Sequence, residues 1–221
     1  MNNHVTKRAS FYLCSQRFVH NLQIFGQYHP ISKLTPVLKA NAYGHGIAHI
    51  LAMMQGGPLT TYAVTTLAEC FPYLSGSLTP HILHGPMSID ELKYDDKVQF
   101  VISLPWQIKM LQTYGKARQK RYWLKVELGL NRLGFSLEQA RSLLRTHPDL
   151  WCGIYGHLGA IVQYPQLCRQ RASQLKQLAK EFSLPLSLEN TEGLAVWNQG
   201  LFGDYIRLGL SFYGYAKGKP V

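Results

Sequence analysis

Residues 122–158 read YWLKVELGLNRLGFSLEQARSLLRTHPDLWCGIYGHL, and this stretch decides the fold. An apolar run over 122–128 is followed by an amphipathic segment over 137–146 and by a second apolar run over 152–158. Ser136 stands directly before the middle segment, with a glutamine three residues later, an arrangement typical of a helix capping box. A strand, a helix and a strand in this order predict two parallel strands, because parallel strands need a crossover connection.

The same alternation continues through the chain. Strand patterns cover Thr35–Lys39, Thr61–Thr65, His81–His84, Val98–Ser103, Tyr122–Leu128, Cys152–Leu158, Leu186–Glu189 and Tyr205–Leu210. Helical patterns cover His45–Met54, Pro105–Tyr114, Leu137–Thr146 and Pro165–Phe182. Eight such units in 221 residues predict one α/β domain, residues 1–221, with a (β/α)8 TIM barrel as its architecture. An open doubly wound sheet is the alternative, weakened because no GxGxxG follows an early strand.

In a barrel the chemistry takes place at the C-terminal ends of the strands. Before any family is considered, that rule singles out Lys39, Lys125, His157, Asn190 and residues 207–209. These positions are therefore the first candidates for a functional site.

The charge balance favours anionic partners. The chain carries 23 Lys and Arg against 12 Asp and Glu, a net charge of +11, and its first acidic residue is Glu69. Nucleic acid and small phosphorylated or carboxylated ligands both fit such an excess. The basic residues scatter along the chain, however, and the densest run, from Lys116 to Arg121, is interpreted as a solvated loop. A nucleic-acid partner is therefore not expected.

Neither a membrane segment nor a metal site is predicted. No apolar stretch reaches the roughly 20 residues of a membrane helix, and the N-terminal residues lack the apolar region of a signal peptide. We therefore expect a soluble, cytoplasmic protein. The cysteines show no CxxC spacing and the histidines no HExxH motif. His45 and His49 are four residues apart, but no carboxylate or cysteine accompanies them, so chance spacing explains them.

Lys39 closes the first strand pattern, within the segment LKANAYGHG of Leu38–Gly46. Partial desolvation there would lower the pKa of the lysine and free its amine for Schiff-base chemistry. Tyr43 lies one turn on, and Gly44 and Gly46 allow close backbone approach. An isolated lysine would be interpreted more simply as extending from the barrel rim into water. The flanking residues therefore carry the chemical interpretation.

This segment resembles the pyridoxal-phosphate attachment site of alanine racemases. Further segments resemble that family in the same order: Phe18–Leu22, Lys125–Phe135, Gly156–Leu158, Glu189–Thr191 and Arg207–Gly214. Together they span the chain almost from end to end. The resemblance implies an isomerase that interconverts L- and D-alanine and supplies D-alanine for peptidoglycan. Its cofactor would be pyridoxal phosphate, held as a Schiff base on Lys39.

The resemblance also assigns roles around the cofactor phosphate. Lys39 would be catalytic, as the attachment lysine and as one of two proton-transfer bases. The hydroxyl groups of Tyr43 and Thr191 would bind the phosphate, with Asn190 in the same cofactor-binding set. Backbone N–H groups near Gly209 and Leu210 would complete the cradle.

The remaining roles concern the cofactor ring. Arg207 would face the pyridine nitrogen, and a guanidinium cannot give up its proton to the ring. His157 would support Arg207, while Arg132 would lie near the phenolic oxygen, backed by Lys125, a carbamate in some family members. Taken alone, His157 is interpreted more simply as a core histidine and Asn190 as a turn cap. The joint match favours the site.

The resemblance also implies a second, mostly β domain beyond the barrel, which supplies a tyrosine as the opposite-face base and completes the partner's site in a dimer. This sequence ends at Val221, so we expect a truncated or split form with low intrinsic activity. Expected partners are alanine and either a second copy or a separate chain carrying that domain. Glu127-Leu128 stands where the family has Asp-Thr, which bears on the carbamate. Two other functions stay open: a stand-alone pyridoxal-phosphate-binding barrel without racemase activity, and a basic interaction module.

Overall fold

The computed structural model describes residues 12–114, 121–188, 190–197 and 202–215. Eight parallel strands follow one another: β1 Leu34–Pro36, β2 Thr61–Val64, β3 Thr79–Ile82, β4 Gln99–Ile102, β5 Tyr122–Lys125, β6 Trp151–Tyr155, β7 Leu186–Ser187 and β8 Ile206–Leu208. Each lies within two residues of the start of its predicted pattern, so the predicted parallel α/β alternation is confirmed. Glu189 and the basic residues 116–120 lie outside the described residues.

The strands form two continuous sheets. One pairs β2 to β7 in sequential order, and the other pairs β1 with β8, with Leu34 in register with Ile206. A doubly wound sheet reverses its strand order at a switch point, which this sequential order does not do.

Single-residue bridges lie at the two junctions between these sheets. Val37 pairs with Ala63 beside β1 and β2, and Ser187 pairs with Tyr205 beside β7 and β8. The predicted (β/α)8 barrel is therefore confirmed only in part. The parallel strands are present, but continuous strand pairing stops at both junctions. The physical reason is strand length: β1 has three residues and β7 two, and Pro36 has no N–H to donate.

One helix precedes β1, and the others lie between successive strands in sequence. They span Ser15–Gly26, Ile47–Met54, Leu67–Cys70, Pro105–Tyr114, Leu137–Thr146, Pro165–Glu181 and Thr191–Trp197, with 3-10 turns at Ile31–Lys33, Phe71–Tyr73, Ile89–Tyr94 and Leu210–Tyr213. The predicted capping box is present, because Ser136 Oγ accepts from Gln139 N at 3.1 Å and Gln139 Oε1 accepts from Ser136 N at 3.0 Å. None of the helices in the described part of the chain is long and apolar enough to cross a membrane.

The core has an outer and an inner part. Helix Pro165–Glu181 buries Cys168, Ala172 and Leu175, three or four residues apart, so one face packs on the sheet. Successive strand residues face opposite sides, and a smaller cluster that includes Trp123 therefore forms on the other face of the strands. Arg207 joins this inner face, its guanidinium carbon 4.3 Å from the centre of the Tyr155 ring. The inner face of the strands therefore carries an aromatic layer with a charged group packed against it.

Candidate active site

A cavity of about 510 Å³ opens at the C-terminal ends of the strands. Its wall includes all ten residues that the sequence assigned to a site: Lys39, Tyr43, Lys125, Arg132, His157, Asn190, Thr191, Arg207, Gly209 and Leu210. Lys125 lies in β5 and Arg207 in β8, and the other eight lie in the segments that follow β1, β5, β6, β7 and β8. The fold therefore brings together residues that are far apart in the sequence.

Lys39 is followed by an unusual backbone turn. Ala40, Asn41, Ala42 and Tyr43 all have φ between 51 and 56°, in the left-handed region, and Gly44 continues at 86°. Each non-glycine residue costs roughly 1–2 kcal/mol in this region, so surrounding contacts must hold the turn. Two such contacts lie within it: Ala42 N donates to Leu38 O at 2.8 Å, and Asn41 Oδ1 accepts from Ile47 N at 2.9 Å.

Tyr43 points its hydroxyl group towards Gly209. A Cβ atom added at Gly209 would lie 3.6 Å from Tyr43 Oη, so the glycine leaves the space beside the hydroxyl open. Burial raises the pKa of Tyr43, which keeps the phenol protonated and able to donate. Tyr213 packs edge-on against Tyr43, with ring centres 5.8 Å apart, and donates its own hydroxyl to Val37 O at 3.1 Å.

Thr191 and Asn190 stand at the start of helix Thr191–Trp197. Thr191 Oγ1 lies 2.5 Å from Ser211 Oγ, which places two hydroxyl groups side by side. Asn190 uses its side chain within the protein: its Oδ1 accepts from Gly193 N at 3.0 Å and its Nδ2 donates to Leu158 O. Asn190 therefore caps the turn after its strand as well as lining the cavity.

Arg207 is buried and surrounded by acceptors. Its Nη1 donates to Ser187 Oγ at 2.8 Å, and the two N–H groups of its Nη2 face three acceptors, Gly156 O at 2.5 Å, Leu188 O at 3.1 Å and His157 Nδ1 at 3.3 Å. Among the described residues no carboxylate forms an ion pair with it. These acceptors offset much of the cost of burying the charge without neutralising it.

His157 is neutral beside this guanidinium. Burial, followed by the charge of Arg207 and further cations, lowers its pKa to about 3. A neutral imidazole can accept a hydrogen bond from the N–H of Arg207 Nη2, which a protonated imidazole cannot. The structure places His157 Nδ1 3.3 Å from Arg207 Nη2, and the support of Arg207 by His157 stays a prediction.

Lys125 is the last residue of β5, and Arg132 lies within the loop that follows, residues 126–135. Burial, and then the charges of Arg132 and Arg207, lower the pKa of Lys125 to about 8. Its amine is thus partly uncharged near neutral pH. Glu127 holds the loop, since Oε2 accepts from Gly129 N at 2.7 Å and Oε1 from Leu130 N at 2.6 Å.

Sequence reasoning missed several participants. Ser211 and Tyr213 lie inside the Arg207–Gly214 segment, and their hydroxyl groups could have indicated them as candidates. His84 and Glu192 also line the cavity, and no pattern in their local sequence predicts that position.

An α/β domain whose strand ends enclose two lysines and two arginines defines a protein with a cationic site. The chain belongs to the family described as "Alanine racemase, N-terminal domain", which it matches over residues 13–217.

Known proteins agree with this assignment. The chain is 28% identical over 195 residues to an alanine racemase of Halorhodospira halophila, covering 84% of this chain and 53% of that protein. It is 30% identical over 202 residues to a catabolic alanine racemase of Klebsiella aerogenes, covering 88% and 56%. The chain spans about half the length of the relatives it matches.

Solved structures show the same fold. The alanine racemase of Acinetobacter baumannii superposes with a TM-score of 0.78 at 25% identity, covering 91% of this chain and 59% of that one. The alanine racemase of Bartonella henselae, solved with covalently bound pyridoxal phosphate, gives a TM-score of 0.76 at 21% identity, covering 90% and 61%. The alanine racemase N-terminal domain fold is therefore established for this chain.

Proposed function

We propose that this chain binds pyridoxal phosphate covalently on Lys39 and carries the barrel half of an alanine racemase site. The observation that carries the proposal is the convergence of all ten predicted residues on one cavity. Family membership and the relatives' shared name support the same activity.

The donor set fits this cofactor. A phosphate group needs several donors together, and Tyr43 Oη, the hydroxyl pair of Thr191 and Ser211, and the open space beside Gly209 meet that need. Lys39 supplies the amine, with Nζ 5.7 Å from the centre of the Tyr43 ring. Arg207 supplies a guanidinium for the ring nitrogen.

The bound cofactor supplies an electron sink that acidifies the Cα–H of the amino acid. Lys39 then moves a proton at one face of that carbon. Arg207 holds a hydrogen bond without transferring its proton, and His157, kept neutral, holds Arg207 in place. Arg132 contributes positive charge near an anionic oxygen, and Lys125 stands behind it as an amine of lowered pKa, open to carbamate formation.

The finer architecture belongs to the same proposal. We infer that β1–β8 act as a single (β/α)8 barrel, residues 1–221 forming one domain, with the bridges Val37–Ala63 and Ser187–Tyr205 joining the two ladders. The family resemblance and the parallel direction of all eight strands support this inference.

Binding is tested with the purified chain and pyridoxal phosphate. We expect a visible absorption band that borohydride reduction abolishes, with the reduced cofactor mapped to Lys39 by peptide analysis. Lys39→Ala should lose the band, whereas Lys33→Ala, at the other end of β1, should keep it. A band of unchanged intensity in Lys39→Ala contradicts the proposal. Tyr43→Phe should weaken binding by about 1 kcal/mol, because one hydrogen bond to the phosphate is lost.

Turnover is tested with the 221-residue polypeptide alone in deuterated water. We expect exchange of the α-proton of one alanine enantiomer, because Lys39 serves one face of the carbon. Racemisation should be slower than in a complete alanine racemase by at least about a hundredfold, since the resemblance places the other base on a second domain.

The assay also separates the alternative function. A stand-alone cofactor-binding barrel would show the Lys39 band without exchange of either enantiomer. Racemisation at the full rate would instead show that the cavity holds a second base, and His84→Asn and Glu192→Gln would then identify it, since both side chains line the wall.

A further inference from the structure

Glu69 touches the backbone of the residue that follows Lys39. Its Oε1 accepts from Ala40 N at 2.8 Å, across 29 residues of sequence. Its Oε2 accepts from Thr65 N at 2.6 Å and from Thr66 N at 3.3 Å. One carboxylate therefore joins the segments that follow β1 and β2.

Helix capping alone does not explain this side chain. Glu69 is the third residue of helix Leu67–Cys70, and a glutamate there ordinarily accepts from the N-cap backbone, here Thr66. That role occupies Oε2. The bond from Oε1 to Ala40 lies outside the helix and adds nothing to the cap.

The bond to Ala40 acts on Lys39 through the peptide that connects them. Fixing the direction of the Ala40 N–H fixes the plane of the Lys39–Ala40 peptide, because the peptide unit is planar. The plane of that peptide sets ψ of Lys39 and the start of the left-handed turn, whose φ at Ala40 is 51°. A charged acceptor makes the tie about twice as strong as a neutral one, which suits a segment with strained backbone.

We propose that Glu69 is a positioning residue for Lys39: by tying Ala40 N to the loop after β2, it directs the lysine side chain into the cavity. The inference rests on the proposed function only for the cofactor attachment and proton transfer that Lys39 then performs. The contacts themselves belong to the chain without any ligand.

The test compares Glu69→Gln with a matched control. Gln has one acceptor oxygen, and its NH2 group would face a backbone donor, so one of the two ties is lost. Glu91→Gln is the control, because Glu91 Oε2 likewise accepts a backbone N–H, that of Met87 at 2.8 Å, in the loop after β3.

Two measurements apply to each variant. In the first, the chain is incubated with pyridoxal phosphate, reduced, and its labelled lysines mapped. Glu69→Gln should bind about tenfold more weakly and spread label to other lysines, the fold-change expected for one hydrogen bond to a charged group. In the second, the ligand-free chain is reductively methylated with 13C-formaldehyde, and the Lys39 resonance should move in Glu69→Gln but not in Glu91→Gln.

The outcomes separate the two proposals. Label on a wild-type lysine other than Lys39 overturns the proposed function, while the methylation spectra still judge Glu69. Wild-type behaviour of Glu69→Gln in both measurements overturns the positioning role. Should Glu69→Gln fail to fold, Glu69→Asp keeps the charge with a shorter reach, and its Lys39 resonance decides: a shift supports the role and an unchanged resonance overturns it.

Discussion

The loop after β1, residues 38–46, and the loop after β5, residues 126–135, both deliver cationic side chains to the cavity, but different contacts hold them. In the β5 loop the hydrogen bonds of Glu127 and Phe135 are local. Glu127 accepts from Gly129 and Leu130, and Phe135 returns to the strand, where its N–H donates to Lys125 O at 2.9 Å. The loop closes on itself within ten residues of sequence.

The β1 loop also has local hydrogen bonds, such as Ala42 N to Leu38 O, but further contacts come from elsewhere in the chain. Glu69 holds Ala40 N, and Tyr213 packs against Tyr43 and stacks on His45, with ring centres 4.3 Å apart. A closed local loop depends on its own residues, whereas this turn depends on the assembled fold. Variants in one loop should therefore leave the other loop intact.

The largest expected effect comes from glycine substitutions, one in each loop. Gly134 has φ of 139°, and a Cβ there would lie 2.7 Å from Glu127 N, whereas Gly44 has φ of 86° with nothing within 4 Å. Gly134→Ala should lower the free energy of unfolding by about 3 kcal/mol or more, from strain and a backbone clash. Gly44→Ala should cost about 1 kcal/mol, from strain alone. Urea denaturation measures the free energy of unfolding of both variants, and equal losses would contradict the expected difference between the two loops.

The second-largest effect on the free energy of unfolding is expected at Lys125, a buried cation at the base of the β5 loop with other cations nearby. Its pKa falls from 10.5 to about 8 on folding. The unfolded chain therefore binds more protons between these values, and the contribution of Lys125 to stability rises with pH across that window. Below pH 8 Lys125 is charged in both the folded and the unfolded chain, so the folded protein bears the full free-energy cost of burying this cation.

Lys125→Met should thus raise the free energy of unfolding at pH 7 by about 2 kcal/mol, after allowance for partial exposure. The gain should shrink as the pH approaches 10. Lys109→Met, at an exposed helical position, is the control and should stay within about 0.5 kcal/mol. A gain for Lys125→Met that does not depend on pH would show that lost charge is not its cause.

The comparison also explains what the sequence could predict. Strand and helix patterns depend on local periodicity, so segments such as Pro105–Tyr114 and Leu137–Thr146 have the predicted bounds. The continuity of the sheets depends on pairing between short strands, and there the barrel prediction exceeded the observed ladders. Ten of the residues that line the cavity were predicted by the strand-end rule and the family resemblance.

Glu69 could not be predicted in the same way. In sequence it reads as a capping glutamate and as the first acidic residue of the chain. Its contact with Ala40 exists only because β1 and β2 lie side by side. Residues that act through a neighbouring loop need the fold before their role can be seen.

Glu127→Gln is a smaller perturbation that separates the two loops. The amide keeps one acceptor for the two N–H groups of Gly129 and Leu130, and the free energy of unfolding should fall by about 1.5 kcal/mol. Capture of pyridoxal phosphate on Lys39 should persist, since the β1 loop is untouched. Borohydride trapping followed by peptide mapping checks this. Loss of Lys39 labelling, at the level expected for Glu69→Gln, would mean that the loops are not independent.

The smallest expected effect concerns the strained backbone itself. Ala40 is exposed and has φ of 51°. Ala40→Gly removes a left-handed cost of about 1 kcal/mol but increases the entropy of the unfolded chain by a similar amount, so the free energy of unfolding should rise by at most about 0.5 kcal/mol. The control is Ala52→Gly, at an exposed position of the right-handed helix Ile47–Met54. That variant gains no relief and should lose about 0.5–1 kcal/mol. The two changes are chemically identical, so the sign of the difference reports only on backbone conformation. Equal losses in urea denaturation would mean that Ala40 is not held in the left-handed region, and that the tie to Glu69 supports an ordinary turn.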